Sequence, residues 1–367
     1  MSVTRTLANS REWATSASVH ERDGRLDRYR LEPLTPDEAS RWDKLIARYE
    51  STQLFHRKVW LDYLAASRGV NIRMWAIRGD DRTIGYLCGG VVRKGPFRVF
   101  GSPLKGWGTN FMGPVVDRDF DQRAFLRALD QLAVTERFAM VEIENPVLSD
   151  DQLSAFGYTP VVQPTFVVTL TPGEPEKMWS RLERRTQVRK AQKSGLTVEE
   201  ADEGAIADEF YDQFQDLMVR KGLHPPYDRG SPRLLFELLK PQGMLLALRV
   251  RSPEGQVLAV GLFPHDGHTL YFWGGASRPE AKEYRPNDLL HWTAMEMGAA
   301  RGLGVYNMCG NGFFKKKFGG VIQEPKRWHK CYSRTARWGR HAYERYFQLR
   351  ILLQGLWRRL LRSRSTG

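Results

Sequence analysis

The chain has 367 residues, of which 41% are hydrophobic and 11% aromatic, and its formal net charge at pH 7 is +14. This length and apolar content predict two lobes of ordinary size and exclude a chain that is disordered throughout. The three cysteines are scattered and lack C-x-x-C spacing, so neither a disulfide framework nor a zinc site is expected, and a reducing cytoplasm fits. The sequence contains no apolar run of about 18 residues that would predict a membrane span.

The two ends of the chain differ in composition from its middle. Residues 1–27 are polar, rich in Ser, Thr and Arg, and lack the apolar segment of a secretory signal, so we expect a disordered leader. Residues 326–367 carry twelve Lys and Arg against Glu344 alone, a net charge of +11. Such a concentration of positive charge predicts a partner of negative charge.

The first half of the chain begins with helices and continues with strands. Thr35 is the expected N-cap of a helix that runs to about residue 50, because Pro36 suits its first position and two acidic residues favour its dipole. The pattern then predicts a helix at 57–68, strands at 71–77, 83–92 and 97–100, a glycine-rich loop at 101–114, a helix at 119–136 and a strand at 139–143.

The second half repeats this order. Its predicted elements are strands at 243–251, 256–264 and 268–275, a helix at 286–301 and a strand at 304–309. The repeat predicts an α/β (α+β) fold of two related lobes, at 28–164 and 165–335, in which mixed sheets are flanked by helices. A basic amphipathic helix is expected at 336–367, lying on an anionic membrane surface or, as the alternative, packed on the protein's own core.

A strongly basic helix is predicted at 174–194, between the two lobes, and Gly195 ends it. Its basic residues recur every four positions and would form one continuous row, made up of Lys177, Arg181, Arg185, Arg189 and Lys193. Like charges at this spacing repel one another, so the row favours contact with an anionic substrate, for example one that bears phosphate. A solvated charged face is the alternative.

Two later segments have compositions that favour ligand binding. The first segment is residues 271–302. It begins with an aromatic, glycine-rich strand end that contains Trp273, and it continues into a predicted helix whose N-terminus, near Asn287, favours binding of an anion. In the second, CGNGFFKKKFGG at 309–320, three lysines are bracketed by phenylalanines after a strand, where ligands gather in open α/β sheets. Glu142 and Glu144 are expected on an exposed strand face, and His291 on the surface.

These segments, in this order, resemble the Fem family of peptidoglycan interpeptide-bridge aminoacyltransferases and its wider GNAT relatives. The matched motifs are R-x-x-[IV]-R-K-A-x-K-x-G at 185–195, Y-x-P-N-x-L-L-x-W at 284–292, F-K-x-x-F-G-G at 314–320 and an early F-x-x-x-x-W at 55–60. The resemblance spans about residues 30 to 335.

The resemblance implies tandem GNAT-like lobes and direct attack of an amine on an activated acyl carbonyl, with no bound cofactor or metal. In Fem enzymes the donor is an aminoacyl-tRNA and the acceptor is a lysine-bearing muropeptide. Carried over, Lys315, with Phe314 beside it, is the expected catalytic residue at the donor end. The expected substrate-binding residues are Arg185, Arg189, Lys193, Trp273, Tyr284, Asn287, Lys317, Phe318, Trp107 and Asn110.

The donor and the acceptor stay open at this point. The sequence has no R/Q-x-x-G-x-G/A loop typical of acetyl-CoA-dependent GNAT enzymes, so both aminoacyl-tRNA and acyl-CoA are retained as donors. The favoured function is acyl transfer to an amine of an anionic cell-envelope precursor or polysaccharide in the cytoplasm. The alternatives are an acyl-CoA-dependent N-acetyltransferase and a basic protein without catalysis that binds RNA or the inner membrane surface.

Overall fold

The computed structural model describes residues 28–117, 119–342 and 345, so the leader and most of the basic C-terminal segment lie outside the described residues. The first half contains β1 (Arg30–Pro33), α1 (Pro36–Ser40), α2 (Trp42–Ile46), α3 (Lys58–Arg68), β2 (Asn71–Arg78), β3 (Thr83–Lys94), β4 (Phe97–Ser102), β5 (Gly113–Val116), α4 (Gln122–Thr135), β6 (Met140–Ile143), α5 (Asp150–Ala155) and β7 (Thr159–Val162). The second half contains β8 (Thr165–Thr169), α6 (Pro175–Arg181), α7 (Arg185–Lys193), β9 (Thr197–Glu200), α8 (Ala205–Arg220), α9 (Gly230–Leu239), β10 (Leu245–Arg251), β11 (Val257–Pro264), β12 (Thr269–Tyr271), β13 (Gly274–Ser277), α10 (Pro286–Ala300), β14 (Val305–Asn307), α11 (Phe313–Lys316), β15 (Val321–Gln323) and β16 (Lys326–Cys331).

The first helix begins as expected and ends earlier. Thr35 forms a capping box with Glu38: its hydroxyl accepts the Glu38 N–H at 3.2 Å, and the Glu38 carboxylate accepts the Thr35 N–H at 3.0 Å. The helix does not continue to residue 50, because Arg41 interrupts it between α1 and α2. The interruption lets Trp42 enter the core completely, where its indole N–H donates to the carbonyl of His56 at 2.6 Å.

Three sheets, flanked by helices, form the expected mixed α/β architecture. The first sheet has the order β1-β2-β3-β4-β6-β16-β7, with β5 paired to β3. The second has the order β13-β11-β10-β9, and the third has the order β12-β14-β8-β15. In the first sheet β4 and β6 are parallel, and in the third β12 and β14 are parallel. Among the described residues, no helix is long and apolar enough to cross a membrane.

The sequence segment 268–275, predicted as one strand, divides between two sheets. The N–H of Phe272 donates to the carbonyl of Asn307 at 2.9 Å, which continues the pairing of β12 with β14. The next N–H, that of Trp273, donates to the carbonyl of Leu262 at 3.2 Å, in the direction of β13 and β11. The chain therefore steps from the third sheet to the second at this peptide, and Trp273 stands at the step.

The last strand, β16, crosses from the second half of the chain to the first sheet. It lies between β6 and β7, with Trp328 opposite Ile143 on one side and Pro160 on the other. Residues 326–331, which the sequence places in the second lobe, therefore contribute a strand to the sheet of the first half. The lobe boundaries at 164 and 335 stay a prediction.

The prediction of one continuous basic helix at 174–194 is wrong. The helix breaks at Leu182, whose backbone is extended at φ −75° and ψ 115°, so that α6 and α7 are separate. The reason is packing. Leu182 and Val188 are both buried, but in one straight helix the six positions that separate them would place their side chains on different faces. The five basic residues consequently do not form one row.

Candidate functional site

A cavity of about 450 Å³ lies where the two halves of the chain meet. Its lining comes from the glycine-rich loop, the end of β6, the step between β12 and β13 and the loop after β14. The lining residues are Phe55, Trp60, Gly108, Asn110, Phe111, Glu144, Gln163, Pro164, Thr165, Pro264, Tyr271, Phe272, Trp273, Cys309, Gly310, Asn311, Lys315 and Pro325. Aromatic walls with a few polar groups are typical of a small-molecule site.

The glycine-rich loop forms one wall, and hydrogen bonds fix it near its middle and at its C-terminal end. Thr109 accepts the indole N–H of Trp60 at 3.0 Å, and Asn145 donates its amide N–H groups to the carbonyls of Met112 at 2.6 Å and Pro114 at 3.2 Å. Gly113 has a φ of +103°, and a Cβ there would lie 2.7 Å from the Asn145 side chain, so only glycine fits. The wall is thus positioned by side chains from α3 and from the segment after β6.

Glu144, directly after β6, is the buried acidic group of the cavity, only 1% exposed. Its Oε2 accepts from the Nε of Arg327 at 2.8 Å, while its Oε1 is buried without a hydrogen-bond partner in the described part of the chain. Burial raises the pKa of the Glu144 carboxyl, and the neighbouring Arg327 guanidinium and a hydrogen bond from the Phe111 backbone oppose that shift. Glu144 lines the cavity, and a buried carboxylate in such a position can bind an ammonium group or accept its proton.

The expected exposed face for the two glutamates is therefore wrong. Glu142 is 4% exposed, and its Oε1 accepts the backbone N–H of Lys105 at 2.7 Å. Arg327 lies 3.8 Å from Glu142 and reaches Glu144 at the same time. Sequence alternation missed this pair because β16, which covers this face and carries Arg327, comes from 183 residues further along the chain. The position of Glu144 at the carboxyl end of a strand was the available signal.

Lys315, on α11, is the basic group of the same cavity. Its Nζ donates to the carbonyl of Cys309 at 3.1 Å and also to that of Met308, and it lies 5.0 Å from the centre of the Phe272 ring. Burial lowers the pKa of the Lys315 ammonium. Because an ammonium has three N–H donors and two are used, one remains for a ligand oxygen.

His291 lies beneath this lysine and not on the surface, which corrects the expectation from the sequence. Its ring is 4% exposed, its Nδ1 shares a hydrogen bond of 2.6 Å with the Tyr306 hydroxyl, and four phenylalanine rings surround it. Burial lowers the pKa of His291 to about 3, and the nearby Lys315 charge acts in the same direction. His291 is thus neutral near pH 7 and supports Lys315 without adding charge.

The turn after β14 carries the third reactive group of the cavity, the Cys309 thiol. Asn307 Oδ1 accepts from the Thr165 hydroxyl and from the Cys309 N–H, both at 2.8 Å, which fixes the turn. Cys309 has a φ of +51°, and Phe111 on the opposite wall has a φ of +49°, so two non-glycine residues of the lining adopt a strained backbone. Burial raises the pKa of the Cys309 thiol to about 11, so it is not a thiolate nucleophile at neutral pH.

The structure brings together three of the residues expected from the sequence, Lys315, Trp273 and Asn110, on the lining of the cavity. Phe314 lies behind the lining, between His291 and the fully buried Phe318. The remaining expected residues are outside the lining. Trp107 is buried, the Asn287 side chain donates a hydrogen bond to Ser277, and Lys317 lies over the Phe313 ring. Tyr284 is 41% exposed, and Arg185, Arg189 and Lys193 are exposed on α7.

An ion pair that sequence reasoning missed anchors the lysine-bearing loop. The guanidinium of Arg184 contacts both carboxylate oxygens of Asp288, which is 2% exposed in the first turn of α10. The same guanidinium lies 5.4 Å from the centre of the Phe314 ring. Arg184 thereby links α7, α10 and α11. Across the described residues, no group of three or more His, Cys, Asp or Glu could hold a metal ion.

Comparisons with known proteins bear on the fold. Residues 180–316 match the family described as acetyltransferase (GNAT) domain. No curated protein sequence matches the chain. Among solved structures, FemX is similar with a TM-score of 0.64 and 17% identity, covering 82% of this chain and 97% of FemX. L-PGS from Bacillus licheniformis has a TM-score of 0.50 and 13% identity, covering 82% of this chain and 94% of that one.

A tandem GNAT protein from the clavulanic acid biosynthesis pathway is also similar, with a TM-score of 0.51 and 11% identity over 83% of this chain and 99% of that chain. The fold and the matched segment define an acyltransferase with a GNAT domain. Over most of its length the chain has the fold of FemX, which confirms the fold expected from the Fem-type motifs.

Proposed function

We propose that this acyltransferase moves an acyl or aminoacyl group directly onto a primary amine of an anionic cell-envelope precursor or polysaccharide, at the cytoplasmic face of the membrane. The proposal rests on one observation: Glu144 and Lys315, two desolvated side chains, line the same cavity. Glu144 offers a free carboxylate oxygen, and Lys315 offers a free N–H. Their charges suit the two reactants of an acyl transfer to an amine.

Glu144 is assigned to the acceptor. The incoming ammonium donates a hydrogen bond to Oε1 of Glu144 and loses one proton to it, which leaves a neutral amine as nucleophile. The raised pKa makes this carboxylate a stronger base than an exposed glutamate, while the Arg327 guanidinium favours its ionised form.

Lys315 is assigned to the donor. As the amine nitrogen bonds to the acyl carbon, the carbonyl oxygen becomes an oxyanion, and the remaining N–H of Lys315 can donate to it. The bond from the acyl carbon to the sulfur or oxygen of the donor then breaks. The nitrogen loses its second proton, which the leaving group takes up, and the proton held by Glu144 is released to solvent. The neutral Cys309 thiol argues for direct transfer and against an acyl-cysteine intermediate.

Two donors suit this chemistry, and the matched GNAT domain favours an acyl-CoA thioester. An aminoacyl-tRNA is retained because the Fem-type motifs and the likeness to FemX extend over most of the chain. Arg185, Arg189 and Lys193, all exposed on α7, are proposed to contact the phosphates that either donor or the acceptor would carry.

The test is product formation by the purified full chain. Acyl-CoA thioesters and charged tRNA are each supplied with a panel of amino sugars and lysine-bearing precursors, and mass spectrometry detects the acylated amine. We expect an amide product with one donor class, and loss of that product in Glu144→Gln. Absence of product with both donor classes over the whole acceptor panel would contradict the proposal.

A further inference from the structure

Several exposed apolar side chains belong to segments that border the mouth of the cavity. Large apolar residues that are exposed on the described part of the chain include Val162, Phe313, Val321 and Ile322, with exposed fractions of 46%, 75%, 62% and 52%. We call these four residues, together with Lys316 and Lys317, the rim surface. Exposed apolar groups concentrated in one place mark an interaction site more often than scattered ones do.

The strand pairing holds the parts of the rim surface next to one another. Ile322 of β15 lies opposite Phe166 of β8, and Val162 of β7 lies opposite Lys326 of β16. Among the residues between these pairs, Gln163, Pro164, Thr165 and Pro325 line the cavity, and the N–H of Gln163 donates to the carbonyl of Pro325 at 2.8 Å. Phe313 stands between Asn311 and Lys315, which also line the cavity. The rim surface therefore borders the entrance.

The rim surface is basic as well as apolar. Lys316 is exposed, and the Nζ of Lys317 lies 4.6 Å from the centre of the Phe313 ring. Exposed Arg181 is adjacent, because a Cβ on Gly319 would come within 2.7 Å of its carbonyl oxygen. Within the described ranges, no carboxylate pairs with these three basic side chains. A surface of this composition needs a partner that is apolar and negatively charged.

The chain's own C-terminal segment, residues 343–367, is a poor occupant for the rim surface. It carries six arginines against Glu344 alone, a net charge of +5, so it would add positive charge to a basic surface. An anionic lipid surface provides both complements, since acyl chains accept the apolar side chains and headgroups accept the lysines. We propose that the rim surface docks the enzyme on an anionic lipid surface with the cavity mouth facing the lipid.

The inference rests on the rim surface alone, and its test is vesicle binding by the full chain. Sedimentation with vesicles of phosphatidylcholine, with and without phosphatidylglycerol, is measured for wild type, Phe313→Ser and the double variant Val321→Ser/Ile322→Ser. We expect each rim variant to bind phosphatidylglycerol vesicles about tenfold more weakly, on the scale of one apolar side chain left in water. Lys316→Glu should reduce the preference for phosphatidylglycerol.

The matched controls are Val134→Ser and Val219→Ser, because these valines are 70% and 67% exposed on helices that do not border the cavity. Both controls should bind as wild type does, and all variants should keep the wild-type circular dichroism and melting temperature. Phe313→Ser is also assayed for transfer to a water-soluble amine, which should be retained. That readout separates failure of docking from failure of the proposed reaction.

Three results would overturn the inference. Wild-type affinity in the rim variants would show that vesicle binding depends on another part of the chain. Failure of the wild type to bind phosphatidylglycerol vesicles would exclude a lipid partner. Loss of RNA binding in the rim variants, with vesicle binding unchanged, would assign the rim surface to a nucleic acid.

Discussion

The carboxylate of Glu144 accepts a hydrogen bond from Arg327 through Oε2 and leaves its buried Oε1 without a partner among the described residues. The guanidinium also donates to the carbonyl of Thr109 at 3.3 Å, so it joins the carboxylate to the glycine-rich wall of the cavity. A buried charge is retained at a cost unless it is paired, and here the pairing is only partial. We interpret the unused oxygen as the place of a substrate ammonium.

The first prediction is that Glu144→Gln lowers kcat/KM for acyl transfer by about 10²-fold or more, because the amide cannot accept the proton of the ammonium. Steady-state kinetics at neutral pH measures the loss. Glu142→Gln is the matched control, since Glu142 is also buried, two residues earlier in the chain, but does not line the cavity. Equal losses in the two variants would count against a role of Glu144 in proton transfer.

The second prediction concerns pH. The raised pKa of Glu144 means that the carboxylate is lost, and activity falls, as pH falls through a range above that of an ordinary glutamate. Arg327→Met removes the charge that favours the carboxylate, so this acid limb of kcat/KM should move to higher pH. Lys330→Met, on the same strand but paired with Asp130 at 2.6 Å, should leave the limb in place. An unchanged limb in Arg327→Met would contradict the assignment.

The third prediction is that Lys315→Ala lowers turnover by about 10²-fold, on the scale of a lost oxyanion donor. Lys315→Arg keeps a cationic donor and should retain part of the activity. Lys316→Ala is the control, because Lys316 is exposed on the same short helix. Near-normal turnover in Lys315→Ala would remove this lysine from the mechanism.

The fourth prediction concerns stability. Arg184→Met leaves the buried Asp288 carboxylate without its guanidinium, and we expect the free energy of unfolding to fall by about 3 kcal/mol. Asp288→Asn should cost a similar amount, and the double variant should cost less than the sum because the two side chains interact. Denaturant unfolding checks this, with Arg185→Met, exposed one residue further on, as control. Additive costs would show that the contact contributes no coupling energy.

The fifth prediction concerns the exposed arginines of α7. Charge reversal at Arg185 and Arg189 should weaken binding of the anionic substrate and lessen its dependence on salt, with little change in melting temperature. Arg220→Glu, exposed on α8, is the control because it changes the same charge elsewhere. If the melting temperature alone responds to reversal at α7, these arginines are structural.

Motifs that act locally were readable from the sequence. The cap at Thr35 and the left-handed glycine at 195 follow from backbone geometry within a few residues, and both are present. The order of strands and helices in the two halves likewise follows from hydrophobic periodicity, and the matched GNAT domain supports the resemblance. The prediction that Lys315 belongs to the donor site also came from a local motif.

The surroundings of the site could not be read in the same way. His291 and Glu144 have the polar character of surface residues, but distant segments cover them: the phenylalanines of 314–318 enclose the first, and β16 covers the second. The break of the basic helix at Leu182 also depends on tertiary packing, because Leu182 and Val188 are both buried but would lie on different faces of one straight helix.

By itself the sequence determined the mixed α/β class and most of the elements, and it singled out the motif that carries Lys315, because each depends on periodicity or on residues close in the chain. Only the tertiary structure decided that β16 returns to the first sheet, that the chain steps between sheets at Trp273 and that Glu144 faces the same cavity as Lys315. These features depend on contacts between separate segments, which for β16 and for Glu144 lie more than a hundred positions apart. The burial and pKa of a side chain are properties of that assembled environment.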